Sequence, residues 1–239
     1  MNACQKKNVS CFACCGVANL NLSEGQRQRI LEERTREFHT LEMDFQRFPE
    51  YRAQREKKES SIQRHNPETY VCPFLGYIEP NRPGCMIHPA RTGHPTSQNY
   101  SFYGASICLS YDCSAKDAEE KSGNTAYSDF LERVQPENYH RLICDSALFS
   151  LLETIPDFPD SVCRAPERNS ALERLIELRL NHPDSERITS FERLMVRASD
   201  SQATMEELFL PENHREARQC LNSLKVLFTD RVDGSSLDR

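Results

Sequence analysis

The stretch Cys11-Phe12-Ala13-Cys14-Cys15-Gly16 sets the reading of the whole chain. Three cysteines fall within five residues, and Cys4 stands seven positions upstream. Cys72, Cys85, Cys108 and Cys113 follow, all in the first half of a chain of 239 residues. So many thiols gathered in one half point to a thiolate metal site. Two residues between Cys11 and Cys14 let both sulfurs turn onto one ion. Cys15 makes the pattern less ordinary, because side chains of adjacent residues diverge. Cys14 and Cys15 together suit a polynuclear site, two neighbouring sites, or a ligand with a second thiol beside it. The candidate metal ligands are therefore Cys4, Cys11, Cys14, Cys15, Cys72, Cys85, Cys108 and Cys113. Cys144, Cys163 and Cys220 read instead as small buried hydrophobes, and Cys144 and Cys220 fall on helical stripes. His88, three residues after Cys85, and His94, in a Gly-His-Pro turn, could ligate or support ligands. A solvent-facing turn histidine is the favoured reading of each.

The composition is that of a folded, mostly helical protein, with 38% hydrophobic and 28% charged residues, no Trp and 8 Gly. No apolar run reaches the roughly 18–20 residues of a membrane span. Met1 to Asn8 has no apolar core of the kind a secretory signal needs. The expected location is therefore the cytoplasm, where thiols stay reduced. The odd count of 11 cysteines also argues against a complete set of internal disulfides. Disulfides are the expectation only if a signal has been cut away. The net charge is −6, and the acidic excess lies in the second half. That disfavours nucleic acid as a partner, since phosphate binding needs a basic face.

Outward from the cysteine stretch, residues 1–21 read as irregular. Ser23 with Gln26 has the capping-box form and opens a helix. Leu31, Phe38, Leu41, Phe45 and Phe48 give it an apolar stripe, which Pro49 interrupts. Residues 50–65 are polar and basic, a solvated continuation or a linker. Two short β-prone runs, 70–78 and 85–88, flank the turn cluster Pro80-Asn81-Arg82-Pro83-Gly84 and predict a small hairpin or a pair of knuckles. The aromatics from Tyr100 to Tyr111 place hydrophobic bulk around Cys108 and Cys113. In the second half, helical spacing predicts helices over 128–134, 137–155, 167–181, 185–198 and 212–232, punctuated by prolines. The expected fold is mainly α: a loop-rich cysteine-cluster region with a small β-hairpin, packed on a helical body. The expected division is 1–115, a metal-binding region including a long helix, then 116–232, a helical region, then a disordered tail over 233–239.

Cys11-Phe-Ala-Cys14-Cys15, the leucine-bearing entry into a helix, Cys72-Pro-Phe-Leu75 and Cys85-x-Ile87-His88 together resemble the YkgJ-type cysteine-cluster family. That family is described as zinc- or iron-chelating and is marked by a CxxCxxCC signature with a later Cys-Pro-Phe-Leu. The resemblance covers about residues 4–113, less than half of the chain. Cys11, Cys14 and Cys15 match the last three cysteines of the signature, while the first would fall at Asn8. Cys4 stands farther off. Pro89 and Arg91 take the place of a later Arg-Pro without its cysteine, a role that would pass to Cys108. The resemblance implies bound zinc or iron, and through the flagellin lysine N-methylases of the family it implies a lysine N-methyltransferase-like activity.

No Walker loop, Gly-x-Ser-x-Gly elbow, His-Glu-x-x-His or Gly-x-Gly-x-x-Gly stands in the chain. The leading expectation is an iron–sulfur cluster, [4Fe–4S] in type, held by thiolates at flexible spacing; Cys72-Pro73 echoes the Cys-Pro of cluster ligands. The alternative is a structural zinc module that presents the helical half to a protein partner.

Overall fold

A computed structural model of the chain describes residues 3, 6–64, 67, 71–80, 82–101, 108, 114–182 and 205–226. The expected helix over 185–198 and the tail over 233–239 lie outside the described residues. The architecture is mainly helical with one two-stranded antiparallel sheet. Among the described residues, no helix is long and apolar enough to cross a membrane.

Helix α1 spans Glu24–His39 and begins as the sequence predicts, on the Ser23/Gln26 capping box. Gln26 Oε1 accepts the Ser23 amide at 2.8 Å, so a backbone donor that has no helical partner is satisfied. The helix ends earlier than the stripe implied. Thr40 caps it, and Glu42 and Met43 then take positive φ of 50° and 60°. Asp44 starts the chain again by accepting the Gln46 amide at 3.0 Å. Helix α2 follows over Phe48–Glu59 with Pro49 in its first turn. Pro49 therefore opens a helix rather than ending one, because its fixed φ and missing N–H cost nothing at that position. Residues 50–59 are helical, the first of the two expected alternatives, but the helix is not wholly solvated: Tyr51 and Arg55 are buried.

The hairpin pairs β1, Leu75–Glu79, with β2, Arg82–Cys85. It lies flat on α1. The Tyr77 amide donates to Thr35 Oγ1 at 2.7 Å, and that hydroxyl donates to the Leu31 carbonyl at 2.6 Å. Gly76 permits the close approach, since a Cβ there would stand 2.6 Å from the Met86 sulfur and 2.7 Å from Thr35 Oγ1. A first core of Leu31, Phe38, Phe48, Tyr51, Phe74, Leu75, Met86 and Ile87 fills the space between helices and hairpin. Its rings meet at tilted and edge-on angles, as in Phe38 with Phe74 at 6.1 Å and 88°.

The second half forms α3 (Ser114–Ser122), α4 (Ala126–Val134), α5 (Ser146–Leu152), α6 (Pro166–Leu180) and α7 (His214–Val226), with short helical turns between them. The expected helix over 137–155 is broken. Asp145 accepts the Leu148 amide at 3.0 Å and begins α5 as a new helix, an alternative that a mid-helix Asp offers the backbone. Phe130, Leu131, Leu148, Leu172, Leu175, Ile176, Phe209 and Leu224 make a second core.

Ala3, Val9 and Ala13 belong to that second core, whereas Cys15, Val17 and Leu20 belong to the first. The N-terminal arm is fastened to the helical body by polar contacts. Tyr139 Oη donates to the Ala3 carbonyl at 2.6 Å, Lys6 Nζ pairs with Asp129 at 2.7 Å, and the Asn8 amide donates to Glu132 at 3.0 Å. The chain changes cores within the cysteine stretch itself, and Cys14 packs against both.

Candidate metal centre

Cys14 and Cys15 lie on a single 3-10 turn, Ala13–Cys15, closed by Gly16 at a left-handed φ of 67°. A Cβ would be strained there, and the glycine lets the chain enter a second turn, Val17–Asn19, at once. The adjacent sulfurs do not diverge as expected. Cys15 is hydrogen-bonded to both Cys14 and Cys72. These two bonds, with burial, push the Cys15 thiol well up from its ordinary value. Backbone reinforces the meeting, since the Cys72 amide donates to the Cys15 carbonyl at 2.8 Å.

Cys72 stands on the loop into β1, and two buried side chains hold that loop. Arg34 has no exposed surface. Its Nη1 donates to the carbonyls of Cys72 at 3.1 Å and Leu75 at 3.3 Å, while its other face pairs with Glu59. Tyr51 Oη reaches the carbonyl of Pro73 at 3.2 Å and that of Arg34 at 3.1 Å. Carbonyls at the entry to β1 are thus satisfied from helices. Cys72 is the sulfur most inclined to ionise. The Cys15 hydrogen bond lowers its pKa against the opposing effect of burial, helped by the Phe74 amide and the Arg34 charge.

Cys85 ends β2. Burial drives its thiol well up, and the charges of Cys72, Cys14 and Cys108 add to that. Cys108 is half-buried, with its sulfur 3.2 Å from Ser101 Oγ. Burial pushes it up to about 11, and Cys72 and Cys14 act on it electrostatically. A repeated local device appears at three cysteines. Cys11, Cys72 and Cys85 each accept the amide of the residue two further on, Ala13, Phe74 and Ile87. Such N–H···S bonds favour a sulfur that carries negative charge.

The eight expected ligands divide. The fold brings Cys14, Cys15, Cys72, Cys85 and Cys108 into one neighbourhood. Cys11 is in electrostatic reach of Cys14 and is hydrogen-bonded to Cys144. Cys4 and Cys113 lie outside the described residues. Among the described residues, no group of three or more His, Cys, Asp or Glu side chains closes around a single metal position. The donor chemistry nevertheless fits a soft metal: several thiols on three segments, amides aimed at sulfur, and a cation behind Cys72. The histidines serve their turns. His88 Nδ1 accepts the Ala90 amide at 3.1 Å, and His94 stands 3.0 Å from Thr96 Oγ1.

Sequence reasoning missed Arg34 and the place of Cys144. For Arg34 the signal was present, because it occupies the stripe Leu31-Arg34-Phe38-Leu41 at spacings otherwise apolar. An arginine there must find buried partners. Nothing in the spacing of Cys144 marked it out from a packing residue. Compared with known proteins, the chain matches no family, no curated protein and no solved structure.

Proposed function

We propose that this protein holds a soft metal centre, an iron–sulfur cluster before a single zinc ion, at the junction of its two cores. Cys14, Cys15, Cys72 and Cys85 are the thiolates that would hold it, with Cys108 beside them. The observation that carries the reading is the contact of Cys15 with both Cys14 and Cys72, with Cys85 and Cys108 within electrostatic reach. One tetrahedral zinc with Zn–S of 2.3 Å would need its sulfurs all about 3.8 Å apart. Among the described residues no three His, Cys, Asp or Glu side chains close around one metal position, and a cluster accepts wider spacing because its irons are separate. When bound, the group would link the segments around residues 14, 72 and 85 and, as a cluster, supply a one-electron couple.

The chain's own residues prepare the place. The Phe74 and Ile87 amides donate to sulfur, Arg34 fixes the carbonyls on either side of Phe74, and the first core keeps water from the buried thiols. Thiolates held by a soft metal fit a reducing location, the cytoplasm. The helical half is then the surface offered to a protein partner. Anaerobic purification followed by iron, zinc and acid-labile sulfide analysis tests the reading. Iron with matching sulfide and a brown colour is the expected result. Zinc alone would replace the cluster by the zinc module, and absence of both metals would overturn the reading.

A further inference from the structure

Cys11 and Cys144 form a second thiol pair beside the five gathered thiols, with Cys11 in electrostatic reach of Cys14. Cys11 Sγ is hydrogen-bonded to Cys144. Both sulfurs also reach one oxygen, the His140 carbonyl, at 3.9 Å from Cys11 and 2.9 Å from Cys144. Two sulfurs in contact with each other and with a shared acceptor are placed as a disulfide pair requires at its sulfurs. The segments that carry them are held together independently. Phe12 stacks on the His140 ring at 4.1 Å and 18°, and Tyr139 Oη binds the Ala3 carbonyl at 2.6 Å.

We propose that Cys11 and Cys144 are a dithiol modification site that closes to a disulfide when the protein meets a low-molecular-weight disulfide of the glutathione type. The two members differ in access: Cys11 is half-buried and Cys144 buried, which sets the order of events. Cys11 loses its proton and its sulfur attacks one sulfur of the oxidant. The oxidant's S–S bond breaks, and one small thiolate leaves and takes up a proton. Cys144 then loses its proton and attacks the Cys11 sulfur of the mixed disulfide, releasing the second small thiol. Two electrons pass from the protein dithiol to the oxidant, which is reduced to two thiols. The new bond fastens the N-terminal arm, just before the Ala13–Cys15 turn, to the helical body. Cys14, Cys15, Cys72 and Cys85 take no part. The inference therefore stands on the Cys11–Cys144 contact and not on the metal reading.

The test is to titrate the anaerobically purified full chain with oxidised glutathione, block remaining thiols with iodoacetamide, and map peptides without reduction. The expected result is a Cys11–Cys144 cross-link as the main product, reversed by dithiothreitol. Cys144→Ser should instead accumulate one glutathione on Cys11. A main cross-link from Cys11 to any other cysteine would overturn the proposal. So would alkylation of Cys11 and Cys144 that matches the untreated protein. Metal measured on the same samples keeps the two readings apart. The cross-link without metal contradicts only the metal centre, and metal without the cross-link contradicts only this site.

Discussion

The two cores solve different problems with different materials. The second is helix on helix, and its backbone groups satisfy one another within the helices. Aliphatic side chains such as Leu131, Leu148, Leu172 and Leu175 fill most of it, and one buried ion pair, Asp145 with Arg179, ties α6 to the start of α5. The first must hold a small hairpin and the irregular segments that lead into it. It does so with aromatic rings and with polar side chains drawn deep inside. Arg34 and Tyr51 cap the 72–75 loop, and Glu59 and Glu37 compensate Arg34 and Arg55. Burying charge is costly unless it is paired and hydrogen-bonded. The first half accepts that cost where its chemistry lies, in the loops that carry the cysteines.

The largest expected effect comes from breaking that support. Arg34→Met strips two loop carbonyls of their donor and leaves Glu59 with one cation fewer. A loss on the order of 3–5 kcal/mol is expected, read by urea unfolding, together with reduced metal per chain. A loss below about 1 kcal/mol would mean that the loop holds itself. Leu175→Ala probes the other core. It should cost about 3 kcal/mol by cavity formation and leave metal per folded chain unchanged. A fall in metal with that variant would blur the division of labour drawn here.

Acid should act on the first half through Glu59. Burial alone would raise the Glu59 pKa, but the hydrogen bonds and charges of Arg34 and Arg55 outweigh it and hold it below the ordinary 4.5. A depressed carboxylate contributes its full stabilisation above the unfolded value. That contribution fades as pH falls from about 4.5 through the lower folded pKa, because the unfolded chain takes up protons first. Unfolding measured between pH 6 and roughly pH 3 should therefore show stability falling over this window. Glu59→Gln should make the slope shallower, and an unchanged slope would remove Glu59 from the account. The smallest effect is expected at the α1 N-terminus. Ser23→Ala should cost about 1 kcal/mol without touching metal content.

Much of this architecture could be read from local chemistry. The Ser23 cap, the presence of a small hairpin, and helices α4, α6 and α7 follow from capping, turn and periodicity rules that act within a few residues, although the second strand, Arg82–Cys85, falls inside the stretch expected to be the turn. The misreadings arose where distant partners decide. Pro49 can end one helix or open the next, and only the left-handed Glu42-Met43 turn before it settles which. Asp145 breaks a regular stripe because Arg179 Nε waits for its second oxygen at 2.7 Å. For the site, density of thiols was a fair guide to the neighbourhood of Cys14, Cys15, Cys72 and Cys85. It was a poor guide to pairing. Cys11 has ligand spacing to Cys14, yet tertiary packing of the arm on the helical body turns it to Cys144.

The most direct test of the metal centre sets Cys72→Ser against Cys144→Ala, both purified anaerobically beside the wild type, with metal and sulfide counted per folded chain. Cys72 stands in the gathered thiols and Cys144 outside them. The account predicts that Cys72→Ser loses most of the bound metal and that Cys144→Ala keeps the wild-type amount. Equal metal in Cys72→Ser and wild type, or no metal in the wild type, would contradict it.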